Sequence, residues 1–389
     1  MLDIGRIRAD TPATHDKVFL ASAGASLMPI PVVRAMHDYL DLEAQLGGYG
    51  AYESEQVRLA SAYELAARLI GALPQEIAFM ESATAAWQMA FYSMSLKKDD
   101  VVLTSEAEYG ANFVALLQLR QRLGIEIQVV PSDATGTIDL DALRHMISPR
   151  VKLICLTWIP TNGGLVNPAA EVGKIARTHD VAYLLDACQA LGQMPVDVQT
   201  LHCDMLTATG RKFLRGPRGT GFLYVRSGFI PQLEPHTIDH FSAPWVERDR
   251  YELRDGARRY ETWESNYAAR MGLVTAMDYA LNIGMSAIQE RCVVLAARLR
   301  SGLHVLPAAT VCDLGRDLSA IVSYTIEGEP AEHVVERAAK AGITMGVTLP
   351  SGTRLDAERR RLPPMVRASP HYFNTEQEID TLLDFLQDL

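Results

Sequence analysis

Short apolar runs alternate with helix-length amphipathic segments from about residue 76 to residue 226. Runs that are apolar throughout predict strands buried on both faces, as in a parallel sheet, and the amphipathic segments predict helices that cover them. We predict strands at 77–80, 101–105, 126–130, 151–158, 182–186, 205–208 and 221–225. We predict helices at 83–96, 111–123, 140–147 and 169–178. The pattern indicates an α/β fold with a mainly parallel sheet.

The pattern changes after Trp263. We predict two long helices at 265–282 and 286–303, strands at 320–326, 343–345 and 366–368, and helices at 331–341 and 375–386. This order is typical of a separate, βαβ-containing α/β unit. We therefore predict a large domain of residues 15–263 and a small C-terminal domain of residues 264–389 that includes residues 1–14. Segment 348–364, rich in Arg, Pro and Gly, is expected to be a mobile or ligand-facing loop.

Composition and charge exclude several classes of protein. The 389 residues carry a net charge of −10, which argues against nucleic acid or an anionic membrane as the main partner. No apolar stretch approaches the length of a membrane span, and the N-terminal residues lack the apolar run of a signal peptide. The five cysteines form no CxxC pair, which argues against a zinc site or a disulfide framework. We expect a cytoplasmic protein with reduced thiols, a small-molecule ligand and no metal site.

Two charged side chains follow neighbouring predicted strands. Asp186 ends one apolar run, and Lys212 follows the next, just before a turn-rich segment. Ligands of open α/β sheets collect at the carboxyl ends of parallel strands, so the two side chains would converge on one pocket. A lysine that forms a Schiff base, opposite an acid that keeps a ring nitrogen protonated, is what a pyridoxal phosphate enzyme needs. The alternative is a solvated lysine in a loop and an aspartate at a strand end.

The predicted strand ends also carry groups suited to a phosphate. Ser82, Ala83 and Thr84 open a helix, whose N-terminus favours an anion, although in isolation these residues favour a plain Ser/Thr helix cap. Thr209 and Arg211 flank Lys212 and could add a hydroxyl and a cation to the same phosphate.

Three more side chains could contact the ring or the substrate. Gln189 follows Asp186 and could hydrogen-bond a ring oxygen. Tyr109 could stack on the ring face, or be a surface aromatic. Arg367 is suited to grip a substrate α-carboxylate with both nitrogens, or could form a surface salt bridge.

Four motifs together resemble the class V aminotransferase-fold enzymes, and they occur in order from about residue 20 to the end of the chain. They are Glu-Ser-Ala-Thr at 81–84, Asp-Ala-Cys-Gln at 186–189, Thr-Gly-Arg-Lys at 209–212 with Gly-Pro-Arg-Gly at 216–219, and Arg-Ala-Ser-Pro-His-Tyr-Phe-Asn-Thr at 367–375. That family includes cysteine desulfurases, isopenicillin N epimerase-like proteins and ergothioneine-pathway C–S lyases. The resemblance implies the pyridoxal phosphate-dependent transferase fold type I and a homodimer with a shared active site.

The resemblance also implies a role for each candidate residue. Lys212 would form the Schiff base with pyridoxal phosphate, Asp186 would pair with the pyridine nitrogen, and Gln189 would bind the ring oxygen. Tyr109 would stack on the ring, and Arg367 would bind the substrate carboxylate. The implied phosphate ligands are Ala83, Thr84, Thr209, Arg211 and, from the neighbouring subunit, Thr262.

The reaction depends on what happens after the substrate loses its Cα proton. Cysteine desulfurases carry a nucleophilic cysteine shortly before the carboxylate-binding arginine, but residues 346–366 contain none, and the nearest is Cys312. This argues against desulfuration through an enzyme persulfide.

Segments 23–29, 210–219 and 351–363 are similar to hercynylcysteine sulfoxide lyase-like members, which cleave a Cβ–S bond and release a sulfur product, pyruvate and ammonia. We therefore predict a β-eliminating C–S lyase, with segment 351–363 as a lid or, alternatively, a solvated face. A class V aminotransferase, an amino-acid epimerase and a catalytically silent scaffold remain open.

Overall fold

The computed structural model describes residues 2–389. The helices are α1 (Ile4–Ala9), α2 (Ile30–Ser54), α3 (Gln56–Ile70), α4 (Ala83–Tyr92), α5 (Gly110–Leu123), α6 (Leu140–Met146), α7 (Ala169–Thr178), α8 (Val198–Leu201), α9 (Tyr267–Ile283), α10 (Met285–Val305), α11 (Ala331–Lys340), α12 (Arg354–Arg360) and α13 (Glu376–Gln387). The strands are β1 (Val18–Phe19), β2 (Ile77–Met80), β3 (Val101–Ser105), β4 (Glu126–Val130), β5 (Val151–Thr157), β6 (Ala182–Asp186), β7 (Met205–Thr209), β8 (Gly221–Val225), β9 (Trp245–Glu247), β10 (Arg250–Tyr251), β11 (Ala309–Val311), β12 (Val322–Ile326), β13 (Ile343–Thr344), β14 (Gly346–Thr348) and β15 (Met365–Ala368).

A seven-stranded sheet of order β2-β8-β7-β6-β5-β3-β4 forms the centre of the molecule. Strand β8 pairs antiparallel with β2 and β7, and the other neighbours pair parallel. The predicted α/β fold with a mainly parallel sheet is confirmed. Five predicted strands have the predicted limits, whereas β5 ends one residue earlier and β7 one residue later.

The strands of this sheet are buried on both faces because their consecutive apolar residues point to opposite sides. Leu185 packs in one core cluster, with Leu103 and Ile154 from neighbouring strands. Leu184 packs in a second cluster on the opposite face, with Leu153. Helices cover both faces, which explains why these runs are apolar without alternation.

The C-terminal region forms a separate four-stranded sheet of order β11-β12-β15-β14. All neighbouring strands pair antiparallel. Because β12 and β14 are each antiparallel to β15, they run parallel to each other, and α11 connects them, so the region contains a βαβ unit with β15 inserted between its two strands. The short strand β13, between α11 and β14, pairs with β1 from the start of the chain. Segment 348–364 is not a plain loop, because residues 354–360 form α12.

The sequence did not predict the N-terminal helices α2 and α3. In α2, Gly47 has a positive φ of 72° and kinks the helix, so its apolar stripe is interrupted. Tyr39 and Ala51 of α2 pack with Ala268 and Met271 of α9. Helix α9 lies in the sequence between the strands of the central sheet and those of the C-terminal sheet. Helix α4 begins at the predicted residue but is shorter than predicted, because it ends at Tyr92 instead of residue 96. No helix of residues 2–389 is long and apolar enough to span a membrane.

Candidate active site

A cavity opens at the carboxyl edge of the central sheet. Its lining comes from the segments that directly follow β2, β3, β5, β6 and β7. These parallel strands all end at the same edge, so residues distant in sequence meet there. Of the predicted site residues, the cavity is lined by Ala83, Thr84, Tyr109, Asp186, Gln189, Thr209, Arg211 and Lys212.

Lys212 lies three residues beyond the end of β7, in a turn rather than at the strand end that the sequence suggested. Only 9% of the residue is exposed. Burial lowers the pKa of its ammonium group, and Cys188 and Asp186 oppose that shift. Its Nζ lies 5.9 Å from the centre of the Tyr109 ring. A buried lysine with a lowered pKa supplies a neutral amine, which is the nucleophilic form.

Asp186 ends β6 and faces Lys212 across the cavity. Its Oδ1 accepts a hydrogen bond from the Cys188 backbone N–H at 2.9 Å, and its Oδ2 accepts one from Asn112 Nδ2 at 3.0 Å. Two donors stabilise the ionised carboxylate, which suits it to pair with a cationic ring nitrogen.

The sequence did not single out Asn112 or its neighbour Glu108. Glu108 is buried and accepts hydrogen bonds from Asn112, Thr104 and Thr157. Burial raises the pKa of its carboxyl group, and these three donors oppose that shift. The sequence does place a Glu and an Asn four residues apart beside a predicted strand end. This spacing is also common at the starts of exposed helices, so it did not distinguish the two residues.

The N-terminus of α4 forms the anion-binding end of the cavity. Ser82 caps this helix, because its hydroxyl accepts from the Ala85 N–H at 3.1 Å. Ala83 and Thr84 form the first turn, whose free N–H groups and helix dipole favour a phosphate. Thr209 ends β7 on the same edge, and its hydroxyl donates to the Thr220 carbonyl at 3.3 Å.

Gln189 and Arg211 join the cavity to the segment around Gly24. Gln189 Nε2 donates to the Ala23 carbonyl at 3.1 Å, and Arg211 Nη1 donates to the Gly24 carbonyl. Gln189 Oε1 is buried and has no hydrogen-bond partner within residues 2–389. A buried acceptor without a donor is costly, so a ligand hydroxyl placed there would be stabilised.

Tyr109 is not at a strand end, because β3 ends at Ser105 and Tyr109 caps α5. Its backbone N–H donates to Glu108 Oε1 at 3.0 Å and to Thr157 Oγ1 at 3.1 Å. These bonds hold the start of α5 in place, with the ring of Tyr109 on the cavity wall opposite Lys212.

Arg367 lies within β15 of the second sheet and reaches the cavity through Thr161. Its Nη1 donates to the Thr161 carbonyl at 2.9 Å and to the Thr161 hydroxyl at 2.8 Å, and Thr161 lines the cavity. Burial lowers the pKa of Arg367 to about 10, and the charge of Arg211 adds to this shift. Two nearby guanidinium groups without a facing carboxylate favour an anionic guest.

Segment 348–364 lies against the large sheet beside this cavity. Arg359 Nε lies 3.0 Å from Glu106 Oε2, and Asn162 Nδ2 donates to the Leu349 carbonyl at 2.9 Å. A Cβ atom added at Gly110 would lie 2.7 Å from the Ser351 carbonyl oxygen, so this close approach requires glycine. The segment is therefore docked on the start of α5.

Thr262 does not line the cavity that contains Lys212. It is exposed, and it lines a separate groove with Gly219 and Asn266. A single chain does not bring Thr262 to Lys212, so its role stays a prediction.

Comparison with known proteins identifies the family. The family model described as "Aminotransferase class-V" matches residues 18–382. A probable cysteine desulfurase of Methanothermobacter thermautotrophicus is 29% identical over 392 residues, covering 98% of this chain and 97% of that protein. A cysteine desulfurase of Yersinia pestis is 29% identical over 398 residues, covering 99% of this chain and 97% of that protein.

Solved structures share the fold along the whole chain. The apo cysteine desulfurase of Thermococcus onnurineus has a TM-score of 0.93 at 25% identity, covering 100% of this chain and 98% of that one. A cystine C–S lyase in complex with cysteine persulfide has a TM-score of 0.89 at 22% identity, covering 97% of this chain and 99% of that one. At that identity, the second likeness concerns the fold alone.

Proposed function

Because this chain belongs to the class V aminotransferase family of pyridoxal phosphate-dependent enzymes, we propose that it cleaves the Cβ–S bond of a cysteine conjugate or its sulfoxide by β-elimination. The observation that carries the proposal is the buried Lys212, which shares the cavity with Asp186 and Arg211 and feels the charges of Asp186, Arg211 and Arg367. The products would be a sulfur compound, pyruvate and ammonia. Hercynylcysteine sulfoxide is the specific substrate that the sequence motifs suggest.

The residues of the cavity fit pyridoxal phosphate. Lys212 would hold its aldehyde carbon and Asp186 its pyridine nitrogen. The unpartnered Gln189 Oε1 supports a contact with the ring hydroxyl. Tyr109 would stack on the ring, and the phosphate ligands would be Ala83, Thr84, Thr209 and Arg211.

Arg367 and Lys212 would then have different roles in the elimination. When bound, pyridoxal phosphate supplies an electron-accepting ring that stabilises negative charge at the substrate Cα. Arg367 would bind the α-carboxylate and orient the Cα–H bond. Lys212, whose lowered pKa favours the neutral amine, would take the Cα proton as general base. The sulfur group would leave with the Cβ–S bonding electrons.

The cysteines support elimination over transfer of sulfur to the enzyme. Cys312 lies in a separate cavity with Asp313 and Arg360, and burial raises the pKa of its thiol. Cys188 does line the active-site cavity, but burial raises the pKa of its thiol well above the usual value. A persulfide mechanism needs an accessible thiolate, which burial disfavours.

A cysteine desulfurase is the second candidate, favoured by the names of the relatives at 29% identity. Desulfuration leaves alanine, whereas elimination leaves pyruvate and ammonia. Transamination requires a keto-acid acceptor, and epimerisation leaves the carbon skeleton unchanged with one inverted centre.

Product analysis separates these reactions. The loaded protein is incubated with L-cysteine, L-cystine, S-substituted cysteines and their sulfoxides, with and without a keto acid. We expect pyruvate and ammonia without an acceptor, and neither product with Lys212→Ala. Alanine from L-cysteine would instead establish the desulfurase, and Cys188→Ser would then test whether Cys188 carries the sulfur. No pyruvate from any compound would refute the lyase.

We further propose a homodimer in which Thr262 reaches the phosphate of the neighbouring subunit. The exposure of Thr262, away from its own cavity, supports this arrangement. The proposed division into residues 15–263 and residues 264–389 with 1–14 would put Lys212 and Arg367 on different domains. The substrate would then lie between the two domains.

A further inference from the structure

A second buried carboxylate lies behind Asp186. Glu108 is 3% exposed and lies just beyond the end of β3. Its Oε1 accepts from Thr157 Oγ1 at 2.5 Å, Asn112 Nδ2 at 2.9 Å and the Tyr109 N–H at 3.0 Å. Its Oε2 is 2.9 Å from Thr104 Oγ1. A fully partnered carboxyl group at this depth requires an explanation, because burying it in place of an apolar side chain costs free energy.

Asn112 connects this carboxyl group to Asp186. Its Nδ2 lies 2.9 Å from Glu108 Oε1 and 3.0 Å from Asp186 Oδ2. An amide nitrogen carries two hydrogens, so Asn112 can donate one to each carboxyl group at the same time. Glu108 thereby fixes the rotation of the Asn112 amide, and Asn112 fixes one oxygen of Asp186.

We propose that Glu108 is a positioning residue that acts through Asn112 to hold the Asp186 carboxylate against the pyridine nitrogen and keep that nitrogen protonated. The inference rests on the proposed function, because it assumes that Asp186 faces the ring of pyridoxal phosphate. It adds two residues, Glu108 and Asn112, to which neither the motifs nor the relatives' names assign a role.

The charges around the network suit this arrangement. Burial raises the pKa of Glu108, which favours its neutral form. Oε1 accepts from three donors and Oε2 from the Thr104 hydroxyl alone, so a proton on the carboxyl group would lie on Oε2, with the Thr104 hydroxyl rotated to accept it. The neighbouring Cys155 thiol and Tyr183 phenol also stay neutral, because burial raises the pKa of each well above its usual value. Asp186 is then the carboxylate of the group that remains to pair with a cationic ring nitrogen.

Removing the Asn112 amide, which connects Glu108 to Asp186, should weaken the interaction that keeps the ring nitrogen protonated. In Asn112→Ala, the Asp186 carboxylate keeps the Cys188 N–H donor but loses the donor at Oδ2. A carboxylate with fewer donors binds a proton more readily, so it competes better for the ring proton. The proton shared by the two groups should therefore shift from the ring nitrogen toward Asp186, with a change of about tenfold in the ratio of the two positions, the effect of one charge-assisted hydrogen bond.

The test is ¹⁵N NMR of the holoenzyme loaded with pyridoxal phosphate labelled at the ring nitrogen, titrated with pH while circular dichroism reports the fold. We compare the wild type with Asn112→Ala, Glu108→Ala and Glu108→Gln. Glutamine keeps the shape and neutrality of the protonated acid. The matched control is Glu76→Gln: Glu76 is 4% exposed and accepts from the Leu73 N–H and from Ser227, but it does not line the cavity.

We expect the ¹⁵N shift of Asn112→Ala and Glu108→Ala, at pH values below the titration of the ring nitrogen, to move toward that of an unprotonated ring, and Glu108→Gln and Glu76→Gln to match the wild type. Asn112→Ala keeps the test available if Glu108→Ala fails to fold. A wild-type ring shift in Asn112→Ala would overturn the inference, as would a Glu108→Gln variant that behaves like Glu108→Ala. A wild-type protein that binds no labelled cofactor at Lys212 would refute the proposed function as well.

Discussion

Lys212 shows at the scale of one residue how burial prepares a side chain for chemistry. Burial lowers its pKa, so the neutral amine forms at a lower pH than in a free lysine side chain, whose pKa is about 10.4. Only the neutral amine attacks an aldehyde. We predict that the rate at which apoprotein takes up pyridoxal phosphate rises with pH and reaches half its maximum below the midpoint for free lysine.

Stopped-flow absorbance of the bound cofactor measures this rate, with Nα-acetyl-lysine as the reference amine. A midpoint equal to or above that of the reference would contradict the prediction. It would mean that the attraction of Asp186 and Cys188, which raises the pKa, outweighs burial.

The sequence predicted the residues of the cavity that stand next to long apolar runs. Asp186 and Lys212 could be predicted because the apolar run of β6 ends in Asp186, and the apolar start of β7 is followed by a turn-rich segment that contains Lys212. Glu108 and Asn112 were not, because their importance lies in a contact between the start of α5 and the end of β6, 74 residues apart. A spacing within one segment carries no information about such a contact.

At the scale of elements, the approach of β8 to the start of α4 sets the shape of the phosphate end. A Cβ atom added at Gly221 would lie 2.6 Å from the Ala208 carbonyl oxygen and 2.9 Å from the Ala83 nitrogen. Both are backbone atoms, so the strand and the helix must separate. We predict that Gly221→Ala lowers the free energy of unfolding by about 1–3 kcal/mol, as overpacking usually does, and weakens binding of pyridoxal phosphate.

Thermal unfolding of the apoprotein and titration with pyridoxal phosphate at a temperature where it is folded measure the two effects separately. Gly48→Ala is the matched control, because nothing lies within 4 Å of the added Cβ atom. It should leave binding unchanged. Equal binding by Gly221→Ala and the wild type would show that the start of α4 does not depend on this approach.

The elements differ in how far the sequence determined them. Five strands of the central sheet were predicted with correct limits and the other two to within one residue, because most of them are short, largely apolar runs. Helix α2 was missed because the Gly47 kink interrupts its apolar stripe. The pairing of β13 with β1 joins positions more than 300 residues apart, as in Val18 with Ile343, and local pattern cannot reveal such a partner.

At the scale of the whole molecule, contacts between the two sheets hold the site together. The ring of His371, three residues after β15, lies with Nε2 2.7 Å from the Phe213 carbonyl oxygen, next to Lys212 in the chain. Burial lowers the pKa of His371 well below its usual value, so the imidazole is neutral. The strand that carries Arg367 is thus tied to the turn that carries Lys212.

The proposed homodimer predicts that each active site takes Lys212 from one subunit and Thr262 from the other. Thr262 is exposed and lies outside its own cavity, so its hydroxyl would serve the partner's phosphate site. We predict that Thr262→Val weakens binding of pyridoxal phosphate because one hydrogen bond to the phosphate is lost. The direct test is a pair of heterodimers, each made from two differently tagged chains and each with one Lys212-bearing site.

In the first heterodimer, one chain carries Lys212→Ala and the other carries Thr262→Val, so a shared site would contain both native residues and bind with native affinity. In the second, one chain carries both substitutions and its partner is wild type. Its Lys212-bearing site would then face Val at position 262 of the other chain and bind as weakly as the Thr262→Val homodimer. Light scattering confirms the dimer, and absorbance titration measures each affinity. If Thr262 served its own subunit instead, the two heterodimers would exchange affinities, with the first weak and the second native.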